Sequence, residues 1–154
     1  MPNPDSDYSI AQLGAVPDAR FDDFTRDDAV RLGEIAVAVT RERGLSLETD
    51  VHIGEQLAFR AQLGKTGQQN ADVIVGKRLV AKHFKHSSLL ARLKKDADPR
   101  LAEGLGDEYK FWGGCIPIFV GEDIVATISA SGEPDVVDHA VIAEALRRFS
   151  ADTP

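Results

Sequence analysis

Residues 25–63 read TRDDAVRLGEIAVAVTRERGLSLETDVHIGEQLAFRAQL, and within them the spacing of apolar residues changes once, sharply. Up to Gly44 the period is that of a helix. Ala29, Leu32, Ile35, Ala36 and Val39 share one face, and Thr25 with Asp28 three residues on forms a capping box in which Asp replaces Glu. Arg41 and Arg43 suit the negative end of the helix dipole, and Gly44 can take the left-handed conformation that ends it. The pattern predicts a helix over Thr25–Arg43. Beyond Gly44 the period is two. Leu45, Leu47, Thr49, Val51 and Ile53 alternate with Ser46, Glu48, Asp50 and His52, and a second run after Gly54-Glu55 continues through Leu57, Phe59, Ala61 and Leu63. This predicts a β-hairpin with one buried face, and it sets His52, out of phase with the apolar set, on the solvent side.

Working outward, Ser6–Leu13 has the pattern of a short helix capped by Ser6 and broken by Pro17, and Ala19–Phe21 that of a short edge strand. On the other side, the loop Gly64–Gln69 leads into Asn70–Ser88, NADVIVGKRLVAKHFKHSS. Ile74, Leu79, Val80, Ala81 and Phe84 form the apolar side of this helix, while Lys77, Arg78, Lys82 and Lys85 carry charge. Gly76 in its middle costs about 1 kcal/mol against Ala unless another backbone approaches there. Ser87 or Ser88 can cap a following helix, Leu89–Lys95. Asp96–Gly106 is a polar excursion with one helical turn at Pro99–Leu105. In Tyr109–Val120, YKFWGGCIPIFV, the paired Gly113 and Gly114 mark a bulge or the close approach of a backbone or ligand. Pro117 puts its strand at an edge or at a position where no N–H is needed. A turn at Gly121–Asp123, a strand Ile124–Ala130 and a helix from Pro134, with Val137, Val141, Ala145, Leu146 and Phe149 inward, complete the pattern.

Composition limits the possible functions. A chain of 154 residues with 43% apolar content makes one domain, here residues 21–150 after an N-terminal extension of residues 1–20. The single Cys115 rules out an internal disulfide and, with four scattered His, shows no zinc spacing, which points to a reducing, cytoplasmic setting. The N-terminus lacks the basic and apolar regions of a secretory signal, and no apolar run is long enough to span a bilayer. Net charge is −7 and the pI about 5.0, which argues against nucleic acid as a partner. Charge is nonetheless unevenly placed. Of 18 Lys and Arg residues, seven fall between Val73 and Lys95, where there is no acid, leaving 11 against 25 acids elsewhere. Such a segment suits a small anionic ligand or an acidic partner surface, or is simply a solvated helix face.

Several spaced motifs then coincide: NAD at Asn70–Asp72, Lys77-Arg78, Phe84 with Ser87-Ser88, Tyr109 with Gly113-Gly114 and Pro117, and Ser131-Gly132, Pro134 and Asp138-His139. Together, over about Phe21–Phe149, they resemble the GlcG-like haem-degrading-domain family and, within it, a small single-domain branch. The resemblance implies an α+β fold, a five-stranded antiparallel sheet in a profilin-like arrangement with helices packed on it. It also implies homo-oligomers, usually built from dimers. Where that branch commonly has an aromatic followed by basic residues, this chain has Val73, Ile74, Val75 and Gly76; where it often has His before the paired Gly, this chain has Trp112.

The residues that could hold a ligand are Lys77, Arg78, Lys82, His86, Ser87 and Ser88 in the basic segment, Trp112, Gly113, Gly114 and Pro117 in the aromatic-glycine segment, and Asp138 and His139 at the last helix. Three functions remain open. One is binding of haem or a similar anionic tetrapyrrole, with propionates on Lys77, Arg78 or Lys82 and iron met by His83, His86, His139, Tyr109 or Cys115. Another is a small-molecule enzyme with Asp138 and His139 as its acid–base pair, although adjacent helix residues do not face each other. The third is a non-catalytic assembly protein whose basic stretch docks an acidic surface of a partner or of another subunit. For the anion, the sequence points to the junction of the basic helix with Ser87-Ser88, where helix N–H groups, hydroxyls and Lys82, Lys85 or His86 converge.

Overall fold

A computed structural model of the chain describes residues 8–152. Strands β1 (Ala19–Phe21), β2 (Glu48–Ile53), β3 (Gln56–Gln62), β4 (Cys115–Val120) and β5 (Asp123–Ser131) form one sheet in the order β1-β4-β5-β2-β3. The two hairpins, β2–β3 and β4–β5, pair antiparallel, and β5 joins them through antiparallel pairing with β2. The sheet is mixed, not wholly antiparallel, because β1 runs parallel to β4. No tight turn links these two strands, so chain connection does not fix their relative direction.

Helix α2 (Arg26–Glu42) has the expected cap. Asp28 N–H donates to Thr25 Oγ1 at 3.1 Å and Thr25 N–H to Asp28 Oδ2 at 2.9 Å. Its Ala29, Leu32 and Val39 meet Val51 of β2, Ile118 of β4, Ala126, Ile128 and Ala130 of β5, and Val141, Ile142 and Phe149 of α5 (Asp135–Asp152) in the main core. The opposite side of β5, Thr127, Ser129 and Ser131, lies toward α3 (Gln68–Phe84), whose Arg78 bonds Thr127. β2 is therefore covered on both faces. This corrects the expected one-sided hairpin and the solvent placement of His52, which is buried together with Glu48 and Asp50.

α1 (Ile10–Ala15) is capped by Ser9, whose hydroxyl accepts from Gln12 N–H at 3.0 Å; the expected cap, Ser6, lies outside the described residues. α4 (Ser88–Ala97) starts from the Ser87 cap, and a 3₁₀ turn follows at Pro99–Ala102. Gly76 has the reason anticipated for it: a side chain there would come within 2.6 Å of the Glu108 carbonyl, and its own carbonyl accepts from Lys110 N–H. Gly113 and Gly114 precede β4 and are places of close backbone approach. A Cβ on Gly114 would lie 2.6 Å from the Ala130 carbonyl, and its φ of +122° is left to glycine. Pro117 sits inside the sheet without cost. Alternate residues of a strand direct their N–H groups alike, and Cys115 N–H leaves β5 for Ser88 Oγ, so the Pro117 nitrogen faces the β1 side, just before β1 begins to pair at Ile118.

Candidate functional site

The residues marked by sequence divide among three places. The first is a cavity of about 430 Å³ beside the point where β1 falls short of Pro117. Its walls come from α1 and the segment after it, the start of α4, β4 and α5, and four marked residues line it: His86, Ser87, Pro117 and His139. Leu13, Leu90, Ile116, Ala143 and Leu146 make much of the wall apolar, and Arg147 and Asp18 bring charge. His139 is 5% exposed, its Nδ1 has no hydrogen-bond partner, and Tyr8 sets an edge-on ring contact on it at 5.3 Å. Burial drives its pKa down to about 4, against a weaker pull from Asp135, so the imidazole is neutral at pH 7. His86 is also held below its ordinary pKa, chiefly by burial. Its Nδ1 lies 2.9 Å from the Ser87 carbonyl, to which only an N–H can donate, so Nε2 is the acceptor for Lys94 Nζ at 3.3 Å. Both nitrogens of His86 are engaged. One of His139 is not.

The second place is a cavity of about 420 Å³ on the other side of the first turn of α5, lined by Lys77, Trp112 and Asp138 together with Asn70, Ser131 and Glu133. Lys77 is 2% exposed and donates to Asp138 Oδ2 at 2.9 Å and to the Ala130 carbonyl at 2.8 Å. Asp138 also accepts from Glu133 N–H at 3.0 Å, and burial lifts its pKa to about 6 against the attraction of Lys77. Asp138 thus pairs with Lys77, and His139 lines the other cavity; the two do not form a dyad with each other. Gly113 N–H donates to Asp135 Oδ2 at 2.8 Å, and Arg92 Nε lies 2.7 Å from the same oxygen, which ties the paired glycines to α4 and α5.

The third place holds Arg78 and Lys82. Arg78 donates to Thr127 Oγ1 and to the Gly54 carbonyl, both at 3.0 Å, and Lys82 is ion-paired with Glu55. The two serines serve the fold: Ser87 Oγ accepts from Leu90 N–H, and Ser88 Oγ, fully buried, from Cys115 N–H. Of the other residues considered for iron, Cys115 is enclosed with its thiol pushed up to about 11, and His83 makes ring contacts with Phe84 and Tyr109 at the end of α3. Among the described residues no group of three or more His, Cys, Asp or Glu is placed to hold a metal ion. None of their helices is long and apolar enough to cross a membrane.

A buried polar row escaped the sequence reading. Glu48, Asp50 and His52 stand opposite Ser131, Ser129 and Thr127 of β5. Arg60 grips Asp50 with two bonds, at 2.8 and 3.1 Å, and Gln62 donates to Glu48 Oε1 at 2.6 Å. Burial, reinforced by Asp50, lifts Glu48 to about pKa 7; burial and Arg78 lower His52 to about 4. The signal for it was present. The same polar alternation occurs in both strands, and when such strands pair at the centre of a sheet their polar sides share a face.

The described residues form an α+β fold with a mixed five-stranded sheet and a cavity on each side of the α5 N-terminus. The chain belongs to the HbpS-like haem-degrading family, whose model, described as haem degrading protein HbpS-like, matches residues 24–147. It is 34% identical over 131 residues to a UPF0303 protein of Streptomyces coelicolor, covering 82% of this chain and 83% of that one. In fold it is similar to the crystal structure of Ybr137w, with a TM-score of 0.83 and 24% identity over 94% of this chain and 88% of that one. It is also similar to the chain in the PduOC:heme complex, with a TM-score of 0.67 and 13% identity over 80% of this chain and 93% of that one.

Proposed function

We propose that the protein binds haem, or a tetrapyrrole of the same kind, in the cavity at His139. The observation that carries this reading is a buried, neutral imidazole, His139, among the residues that line a largely apolar cavity. The donor set fits such a ligand: neutral imidazole is the form that ligates iron, apolar walls accept a macrocycle, and Arg147, bonded to Glu144 at 2.7 and 2.8 Å, brings positive charge to the wall. Haem would supply iron as an electron-pair acceptor and redox centre. His139 would contact the ligand, while the Lys94 bond at His86 Nε2 keeps that imidazole as wall and polar support. Lys77, Arg78 and Lys82, the first candidates for propionates, do not line this cavity, whereas Arg147 does and would exchange its Glu144 partner for a propionate. Membership of the haem-degrading family supports the ligand class.

Hemin titration followed in the visible absorbance tests this directly. Wild-type protein should give a saturable spectral shift, and His139→Ala should weaken binding by at least about tenfold, a change of about 1.4 kcal/mol. A wild type that takes up no hemin, or a His139→Ala variant that binds as well as wild type, overturns the reading. Self-association accompanies this function, with a second copy on the side of α3 that carries Val75 and Trp112. These large apolar side chains are 57% and 46% exposed and flank the contact between Gly76 and Lys110.

A further inference from the structure

The His139 cavity is not made by the family-matched stretch alone. That stretch begins at residue 24, whereas Tyr8, Gln12, Leu13, Val16, Pro17 and Asp18 also line the cavity. These residues make up a strap: one short helix, α1, ended at Pro17 and followed directly by β1. Its attachment is local. Leu13 is buried in a small cluster with Leu89, Leu90 and Val136, against which Tyr8 packs, and this cluster is separate from the main core between α2, the sheet and α5. Outside these anchors the strap is open to solvent, with Ile10 and Val16 among the exposed large apolar residues. Tyr8 is also the residue whose ring meets His139 edge-on.

We propose that residues 8–18 are the specificity element of this cavity, a strap whose Tyr8 and Leu13 shut water away from His139 and limit the apolar bodies that can lie beside it. The inference rests on the ligand-binding reading of the cavity but concerns a different part of it. The matched domain supplies the imidazole, and the strap decides which ligands reach it. A flat, wide ligand such as a tetrapyrrole requires more of the strap than a small aromatic anion, so altering the strap changes the ratio of affinities for the two. Loosening it also admits water to the side of α5 that carries His139.

Two variants and two readouts test this. The Tyr8→Ala/Leu13→Ala double variant removes the anchors, and Val16→Trp adds bulk at an exposed lining position without touching the core. Hydrogen–deuterium exchange of the α5 amides around His139 needs no ligand: it should quicken several-fold in the double variant and stay put in Val16→Trp. Hemin and anilinonaphthalene sulfonate, a smaller aromatic anion, serve as binding probes. In the double variant the dye should dissociate roughly tenfold faster. In Val16→Trp hemin should lose several-fold more affinity than the dye. Unchanged exchange around His139 in the double variant, or an unchanged hemin-to-dye ratio in Val16→Trp, overturns the strap's role. Absence of hemin binding in every protein, with the faster exchange and faster dye release of the double variant intact, sinks the haem reading and leaves the strap.

Discussion

Glu48 shows how one residue can be legible in type and misread in place. The alternation Glu48, Asp50, His52 is that of a solvated strand face, and only pairing with Thr127, Ser129 and Ser131 beside α3 makes it interior. Burial, reinforced by Asp50 on the next same-face position with one arginine, Arg60, between them, leaves Glu48 protonated up to about pH 7. The sign follows from proton counts. At pH 4.5 and below, Glu48 carries its proton folded or unfolded for much of the time and little stability depends on it. Between the unfolded value of 4.5 and the folded value near 7, the native state holds a proton that the unfolded chain releases, so this group's contribution falls as pH rises and the loss is complete above 7. Glu48→Gln keeps an acceptor for Gln62 and removes the titration. It should match wild type near pH 4.5 and exceed it by on the order of 1–2 kcal/mol at pH 8, a value held below the full shift because Arg60 is partly solvated. Urea melts at the two pH values check it; equal stability of the two proteins at pH 8 would show that Glu48 ionises at little cost. His139 illustrates the converse case, since its type and number were legible but its freedom at Nδ1 depends on which neighbours fold against it.

At the scale of elements, local signals worked wherever the partner of each group lies nearby in sequence. The Thr25–Asp28 cap, the end of the helix before Gly44, the two hairpins and the α4 cap at Ser87 were all readable. What failed depends on distant segments. The parallel direction of β1 is set by docking against β4, about a hundred residues on. The paired glycines fall between these cases, because their importance was evident and their cause was not. Gly114 admits the Ala130 carbonyl and the Lys77 ammonium beside it, so Gly114→Val should cost at least about 1–3 kcal/mol from backbone strain alone. The second cavity should be disturbed with it. A thermal melt within a degree of wild type would mean that the segment shifts to accept the side chain. A milder change tests the helix cap: Thr25→Ala should cost about 1 kcal/mol and leave hemin binding unaltered.

Across the whole molecule, the uneven charge that drew attention to α3 and α4 is largely answered from within. Lys77 meets Asp138, Arg78 and Lys82 meet Glu55, and Arg92 meets Asp135 and Asp96. A segment without acids of its own therefore recruits them from the β2–β3 turn and from α5, which leaves less charge to steer an anion or an acidic subunit than its composition suggests. The proposed self-association therefore rests on apolar contact. Val75 and Trp112, on either side of the contact between Gly76 and Lys110, add exposed apolar area to one side of α3. An exposed tryptophan beside an exposed valine is the kind of anchor that dominates an interface, with truncation costing about 2 kcal/mol or more. Light scattering after size exclusion should give a mass of at least twice 16.7 kDa, nearly independent of ionic strength because screening weakens charge pairing and not apolar contact. Trp112→Ser should shift the equilibrium toward monomer by roughly thirtyfold while His139 still binds hemin, since the tryptophan lines the other cavity. A dimer that dissolves in salt but ignores Trp112→Ser would move the interface to the charged residues left over, and a monomer at every concentration would end the case for self-association.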